Sequence, residues 1–137
     1  MGALTRSPHR QRLGFYFRLF TANIRTPDVL AFMAALQRQV RRSLLVVLDR
    51  WSVHRAAVAR WRRRRPPWLA GLAWLPPYAP ELNPVEQGWN HTKYSDLANY
   101  LPDSLEQLHE AVGFSLASKC HRPVLLRSFF HYAKLKL

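Results

Sequence analysis

Hydrophobic and polar residues in the first 40 positions follow one strand pattern and one helix pattern. Residues 13–20 are mostly aromatic or aliphatic, with Arg18 inserted, and this composition predicts a strand. Thr26, Pro27 and Asp28 then resemble a helix start, with Thr26 at the N-cap, Pro27 at the first helical position and an acid in the first turn. We predict that an amphipathic helix follows, because apolar residues recur at helical spacing at Val29, Leu30, Met33, Leu36 and Val40.

Two apolar runs further along the chain predict two more strands. Residues 44–48 are five unbroken aliphatic residues, which is typical of a strand buried on both faces. Residues 68–75 are apolar without helical spacing and are flanked by prolines, so they predict a second buried strand. Residues 52–65 between them mix small apolar and basic residues and predict a helix. Asp49 directly follows the first of these strands, at the end where ligands gather in open α/β sheets.

The segment that follows, residues 75–89, combines a loop and a helix start. Its prolines exclude both helix and central strand before Asn83, so we predict an ordered, extended loop there. Asn83 is a preferred N-cap residue, Pro84 suits the first helical position, and Glu86 falls on the third. A helix is therefore predicted from Asn83 onward, with Glu86, Asn90 and Lys93 as a polar stripe on one side.

Glu86 has two interpretations. Its carboxylate could fold back onto the Asn83 N–H and complete a capping box, which is the usual role of an acid at this position. Alternatively, it points into a cleft and binds a metal ion together with Asp49.

Near the C-terminus, Ser104 begins another predicted helix. Its apolar residues recur at the spacing of an ordinary core-facing helix, at Leu105, Leu108, Val112, Leu116 and Cys120. The aromatic and basic residues 128–134 cap the core or contact a partner.

The stretch from Leu45 to His54, the string of residues 75–89 and Lys93 together resemble the second half of a mariner-type insertion-sequence transposase with a DDE catalytic domain. The resemblance extends from about Arg12 to about Asn99. It implies an α/β fold with an RNase H-like mixed sheet flanked by helices, in which three acids hold two divalent metal ions. Asp49 resembles the second acid and Glu86 the third, with 36 residues between them, and the implied cofactor is Mg²⁺ or Mn²⁺.

The sequence departs from this family in two places. Arg50 stands where the family often has Asn after the second acid. More seriously, the first acid is missing, because only Asp28 lies upstream of Asp49, and it belongs to a helix start rather than to a strand. We therefore expect residues 1–137 to form a partial, truncated RNase H-like domain that lacks its first strand and is inactive alone. Loss of that strand is expected to expose a sheet edge near residues 13–20.

Charge adds a nucleic-acid partner to these expectations. Lys and Arg outnumber Asp and Glu by 21 to 8, which gives a formal net charge of +13 and favours a polyanionic partner. Five arginines crowd residues 60–65, where they form either a solvated helix end or a surface that grips phosphates. His54 faces the metal cleft or a phosphate, or is a surface or packing residue. The candidate nucleic-acid-binding residues are His54, Arg60, Arg62, Arg63, Arg64, Arg65 and Lys93.

Cellular context and partners complete the sequence predictions. A single cysteine, Cys120, excludes an internal disulfide framework, and no apolar run is long enough to span a bilayer, so we expect a cytoplasmic protein. The expected partner is double-stranded DNA at transposon ends, together with an upstream-encoded transposase segment or a second copy of the chain. Two other classes stay open: a non-catalytic basic nucleic-acid-binding protein, and a decayed remnant without specific binding.

Overall fold

A computed structural model describes residues 1–9 and 11–135 of the chain. These residues form two compact units. The terminal unit consists of Met1–Leu19 and Pro80–Leu137, as far as these are described, and the central unit is Phe20–Ala79. In chain order the strands and α-helices are β1 (Gly2–Arg6), β2 (Leu13–Phe17), α1 (Thr26–Val40), β3 (Leu44–Leu48), α2 (Ser52–Arg64), β4 (Leu69–Trp74), α3 (Pro84–His91), α4 (Leu105–Lys119) and α5 (Pro123–Tyr132).

The central unit is a βαβ arrangement preceded by a helix. β3 and β4 pair in parallel, with Val46 opposite Leu72, and α2 connects them. Parallel strands require such a crossover connection, because the chain must return to the end of the sheet where the first strand began before the second strand can start. The buried residues of this unit come from α1, β3 and α2: Val29, Phe32, Met33, Leu36, Val46, Ala57, Val58 and Trp61.

β3 is a strand, as predicted, but the prediction that it is buried on both faces is wrong. Leu45 and Val47 are 69% and 53% exposed, whereas Val46 between them is buried. Successive side chains of a strand point to opposite faces, so Leu45 and Val47 share the face opposite Val46. The described residues leave that face uncovered, which makes the β3–β4 pair a half-buried sheet.

The start of α1 differs from the prediction by one residue. Arg25, rather than Thr26, has the extended backbone of an N-cap residue, and Thr26 is already helical. The Asp28 carboxylate explains this shift, because its Oδ2 accepts a hydrogen bond of 2.8 Å from the Arg25 N–H. An acid at the third helical position satisfies a backbone donor that the helix itself leaves unpaired.

The terminal unit joins a β-hairpin to three helices. β1 and β2 are antiparallel, with Leu4 opposite Phe15, and Phe15 packs into a core cluster with Leu116 of α4 and with Leu126 and Phe129 of α5. The aromatic residues of the predicted tail thus belong to a helix that completes this core. The Cys120 S–H donates to the Phe15 carbonyl at 3.2 Å, and burial raises the pKa of this thiol.

The helix start predicted at Asn83 is confirmed. Asn83 Oδ1 accepts a hydrogen bond of 3.2 Å from the Val85 N–H, and Pro84 occupies the first helical position of α3. The preceding segment is less extended than predicted, because Pro80–Leu82 form a short 3₁₀ turn. α3 then continues directly into one π-helical turn, Thr92–Asp96, in which the Leu97 N–H donates to the Thr92 carbonyl at 3.0 Å.

α4 begins as predicted but is less buried than predicted. Ser104 Oγ caps it by accepting a hydrogen bond of 3.1 Å from the Gln107 N–H. Leu105 and Leu108 are exposed, however, and only the second half of the helix, around Leu116, reaches the core. The assignment of the whole apolar stripe to the core is therefore wrong for its first two turns.

The α/β class predicted from the sequence is confirmed, since the described residues contain four strands and five α-helices. The strands form two separate two-stranded sheets, β1–β2 and β3–β4. The RNase H-like sheet order and the assignment of residues 1–137 to one partial domain stay predictions. Within the described residues, no helix has both the length and the apolar character that crossing a membrane requires.

Candidate active site and nucleic-acid interface

Asp49 lies directly after the carboxyl end of β3, where the structure fixes one of its two carboxylate oxygens. Oδ1 accepts hydrogen bonds from the Trp51 N–H at 3.0 Å and from His54 Nδ1 at 2.6 Å. Oδ2 has no hydrogen-bond partner among residues 1–9 and 11–135, and the side chain is 42% exposed. The carboxylate is thus oriented through one oxygen, and its other oxygen is unpaired among these residues.

His54 is the residue that orients Asp49. A carboxylate oxygen accepts hydrogen bonds, so His54 Nδ1 carries the proton and donates a hydrogen bond to Asp49 Oδ1. The other ring nitrogen, Nε2, takes no part in this contact. The imidazole is largely buried and meets the Trp51 indole edge-on, with ring centroids 5.3 Å apart. Of the alternatives left open by the sequence, the structure shows His54 packed on Trp51 and bonded to Asp49.

Glu86 lies in the first turn of α3, in the terminal unit, and its residue is half-buried. The Asn83 N–H that a capping glutamate would bind donates to the Pro80 carbonyl at 3.0 Å. Asp49 and Glu86 belong to different compact units, so their convergence on one metal stays a prediction. In the part of the chain that is described, no three His, Cys, Asp or Glu side chains are grouped as a metal site.

The arginine patch consists of Arg60, Arg62, Arg63, Arg64 and Arg65, at the end of α2. All five residues are exposed, and none forms an ion pair with an acid among the described residues. Trp61, in contrast, is buried against the Trp68 ring at 5.9 Å, so it packs and does not present a stacking surface. The patch is therefore a cluster of guanidinium groups held at the surface by a buried indole.

Positive charge is concentrated in the central unit. Phe20–Ala79 contains eleven arginines and only two acids, Asp28 and Asp49, so it carries +9 of the chain's formal +13. Lys93, the other predicted contact, lies in the terminal unit on the π-helical turn, with Nζ 4.8 Å from the Tyr94 ring centroid. The central unit should therefore attract a polyanion more strongly than the terminal unit does.

A comparison with protein families decides what this site belongs to. A family model described as DDE superfamily endonuclease matches residues 8–109, which include Asp49, Glu86 and the arginine patch. The chain belongs to this family. Members of the DDE superfamily act on DNA and typically use divalent metal ions. No curated protein and no solved structure matches the chain.

This DDE-family chain also contains an ionic network around a buried lysine, which was not predicted from the sequence. Lys119 of α4 is fully buried, and its Nζ contacts Asp96 Oδ2 at 2.5 Å and Ser115 Oγ at 2.8 Å. Ser115 Oγ also lies 2.7 Å from Asp96 Oδ2 and 3.0 Å from Thr92 Oγ1. The network therefore ties both ends of the π-helical turn to α4.

The ionic partners determine the protonation state of Asp96. Burial alone would raise its pKa, but hydrogen bonds from Lys119 and Ser115, together with the charges of Lys119 and His91, hold the pKa of this carboxyl below its usual value. His91 Nδ1 lies 3.3 Å from Asp96 Oδ1, without hydrogen-bond geometry. A sequence signal did exist, because Lys119 follows Ser115 by four residues and so lies on the buried side of α4.

Proposed function

We propose that this chain is the catalytic-domain part of a DDE-type transposase of the mariner type, which cleaves and joins DNA strands at the ends of an insertion sequence. The observation that carries the proposal is the geometry of Asp49 within a chain of this family. Its carboxylate follows a parallel strand and is fixed through Oδ1, whereas Oδ2 has no hydrogen-bond partner among the described residues. A carboxylate that is oriented through one oxygen and has its other oxygen unpaired is typical of a ligand for a divalent metal ion, and less typical of a purely structural side chain.

The residues that would hold Mg²⁺ or Mn²⁺ in this proposal are Asp49 and Glu86. Asp49 fits the ion through Oδ2, a hard oxygen ligand whose partner oxygen is already bonded. When bound, metal ions in such sites activate a water or a 3′-hydroxyl and stabilise the leaving oxygen. His54 contributes by fixing the orientation of Asp49 through its Nδ1–H, so we class it as a positioning residue.

The chain's own acids do not complete a three-carboxylate site. Upstream of Asp49 the sequence contains only Asp28, and its carboxylate caps α1 by accepting the Arg25 N–H. In this proposal the family's first acid comes from outside residues 1–137, from an upstream-encoded transposase segment or from a second copy of the chain. β3 pairs only with β4 among the described residues, so its other edge, beside Asp49, is open to an added strand.

Double-stranded DNA is the proposed partner of the arginine patch. Guanidinium groups match phosphate oxygens with two parallel hydrogen bonds, and the patch has no competing acid among the described residues. The formal net charge of +13 and the exposed arginine patch also fit one alternative function, a non-catalytic basic nucleic-acid-binding protein. For this alternative, both the DNA affinity and the melting temperature of the chain should be the same with and without Mg²⁺. For the transposase, Mg²⁺ should raise the melting temperature.

The cytoplasmic location stays a prediction.

Metal binding provides the most direct test of the proposed site. Because a ligand that binds only the folded state stabilises it by mass action, Mn²⁺ or Mg²⁺ is expected to raise the melting temperature of the chain. At a metal concentration of about 100 times Kd the gain is about 2.7 kcal/mol. Asp49→Ala and Glu86→Ala should each abolish this rise in a thermal melt.

Glu110→Ala is the matched control for both acid variants, since Glu110 is an exposed acid in the middle of α4. It should keep the full metal-dependent rise. If Glu86→Ala instead lowers the melting temperature equally with and without metal, Glu86 is a helix cap and the proposed site loses one of its two ligands.

DNA affinity should depend steeply on salt, because each phosphate contact releases condensed counterions. Replacing Arg62, Arg63, Arg64 and Arg65 with Ala is expected to reduce the slope of log K against log salt concentration by up to about 3.6, at about 0.9 for each lost contact. The slope is measured on a blunt duplex by fluorescence anisotropy.

The control for this variant removes the same charge elsewhere. Arg6, Arg12, Arg122 and Arg127 are exposed arginines of the terminal unit, and their joint replacement with Ala should change the slope much less. Equal slopes for both variants would show that the patch has no special role and that DNA responds only to total charge.

A further inference from the structure

A groove in the terminal unit is built from polar and aromatic side chains that the proposed metal site does not use. It has a volume of about 390 Å³ and lies between α3 with its π-helical turn on one side and α5 on the other. Its lining includes the amides of Gln87 and Asn90, the hydroxyl of Ser128, and the rings of Tyr94, Phe129 and Tyr132.

The lining favours a neutral, flat and polar ligand. Tyr94 and Tyr132 are 65% and 68% exposed, and the Lys93 ammonium group lies over one face of the Tyr94 ring, which leaves the other face of Tyr94 and the Tyr132 ring for stacking. Carboxamides and hydroxyls supply both donors and acceptors of hydrogen bonds. Among the described residues that line the groove, none is Arg or Lys, and the one basic side chain, His91, lies beside Asp96 with its Nδ1 3.3 Å from Asp96 Oδ1, so the lining does not favour a phosphate. Aromatic rings combined with amide groups are the means by which proteins bind unpaired nucleobases.

The surroundings of the groove favour a nucleic acid over a protein segment. Lys93 is exposed on the same π-helical turn, and its ammonium group lies 4.8 Å from the Tyr94 ring centroid. A nucleotide whose base stacks on Tyr94 therefore brings its phosphate close to a cation. Leu125 is the one aliphatic side chain in the described lining, so the apolar part of the groove is mainly aromatic, which suits the stacking of a base.

The position of the groove connects it to the proposed chemistry. Gln87 directly follows Glu86 in α3, and Asn90 is one helical turn further on, so the helix that carries the proposed metal ligand also forms one wall. The other wall, α5, lies outside the residues matched by the family model. The Lys119–Asp96 network holds the π-helical turn against α4, which fixes the backbone on which Tyr94 is presented.

We infer that this groove binds one unpaired nucleobase of a DNA strand, by stacking on Tyr94 or Tyr132 and hydrogen bonding to the amides of Gln87 and Asn90. The inference rests on the proposed function, since strand cleavage creates DNA ends at which bases are unpaired. A base within an intact duplex does not fit, because its faces are stacked and its pairing edge is occupied. The ligand is therefore a single-stranded end or overhang.

The test compares two DNA probes in the presence of EDTA, so that the metal site plays no part. One probe is a short duplex with a single-stranded overhang, and the other is the same duplex with blunt ends. Tyr94→Ala and Tyr132→Ala are each expected to weaken overhang binding by about fivefold or more, the loss of one stacking contact, and to leave blunt-end binding unchanged. Tyr100→Ala is the matched control, because Tyr100 is an exposed tyrosine of the same unit outside the groove lining, and it should change neither affinity.

A second measurement modifies the DNA and leaves the protein intact. An abasic site moved along the overhang should weaken binding to the unmodified chain at one position and should cause no further loss in Tyr94→Ala. Tyr94→Phe retains the ring and should keep most of the affinity. An equal loss with both probes, or no abasic position that matters, overturns the inference. Blunt-duplex binding with its arginine-dependent salt slope is measured in the same titrations, so failure of the groove is separable from failure of the proposed function.

Discussion

Asp96→Ala is expected to destabilise the terminal unit by about 1–3 kcal/mol, the cost of leaving the buried Lys119 ammonium group without its carboxylate partner, since Asp96 itself is exposed. Lys119 is fully buried, and without Asp96 its ammonium group keeps only the Ser115 oxygens as partners among the described residues. The cost is dominated by this unpaired charge and not by the loss of an attractive contact. The free energy of unfolding is measured by urea denaturation and is compared with that of Glu110→Ala, an exposed acid on the same helix.

A double variant separates the buried charge from the loss of packing. In Asp96→Ala with Lys119→Met, no charge is left without a partner, so most of the stability lost in the single variant should return. If the free energy of unfolding of Asp96→Ala lies within about 0.5 kcal/mol of that of the unmodified chain, which is the usual range for surface substitutions, the network does not stabilise the fold as proposed.

The same network makes stability depend on pH, and the sign follows from the direction of the pKa shift. The folded pKa of Asp96 lies below its usual value of 3.8. Its contribution is therefore complete above that value and is lost as the pH falls below it through the folded pKa. The unmodified chain should lose stability in this acidic range more steeply than Asp96→Ala does.

Local signals explain which elements the sequence predicted well. Asn83 with Pro84, and Ser104 with Gln107, start helices through contacts within three residues, so their chemistry is readable from the chain alone. The Thr26 N-cap was wrong by one residue because an acid three positions after Arg25 captured the Arg25 N–H. Helix starts are therefore predictable in kind, although competing caps move their boundaries.

Features that depend on distant neighbours were not predictable in the same way. Whether Leu45 and Val47 are covered depends on which other elements pack on β3, which an unbroken aliphatic run does not specify. The partner of Lys119 is 23 residues away, on a π-helical turn with no sequence signature. For the site, the position of Asp49 after β3 was predicted, whereas its bond to His54 was missed because that contact requires the turn at Trp51.

The purified chain alone is expected not to nick DNA, although it belongs to a family of endonucleases. The reason is the number of carboxylates. Asp49 and Glu86 provide two, and the only acid upstream of them, Asp28, is bonded to the Arg25 N–H as a helix cap. Guanidinium groups cannot replace a negative ligand, so residues 1–137 would provide two of the three carboxylates that a two-metal site of this family would use.

Supercoiled plasmid incubated with the chain and Mg²⁺ or Mn²⁺ provides the assay, with Asp49→Ala as the control for contaminating nucleases. Both proteins should give the same background of nicked circles, because neither has a complete site. Adding a chain that supplies an apolar strand ending in Asp should restore metal-dependent nicking with the unmodified chain only. That restoration is expected because the open edge of β3 can pair with the added strand and bring its terminal acid beside Asp49. The prediction would be contradicted if the chain alone nicked DNA in a metal-dependent way and Asp49→Ala did not. In that case Asp28 would have to leave its capping position, or a second copy of the chain would have to donate an acid.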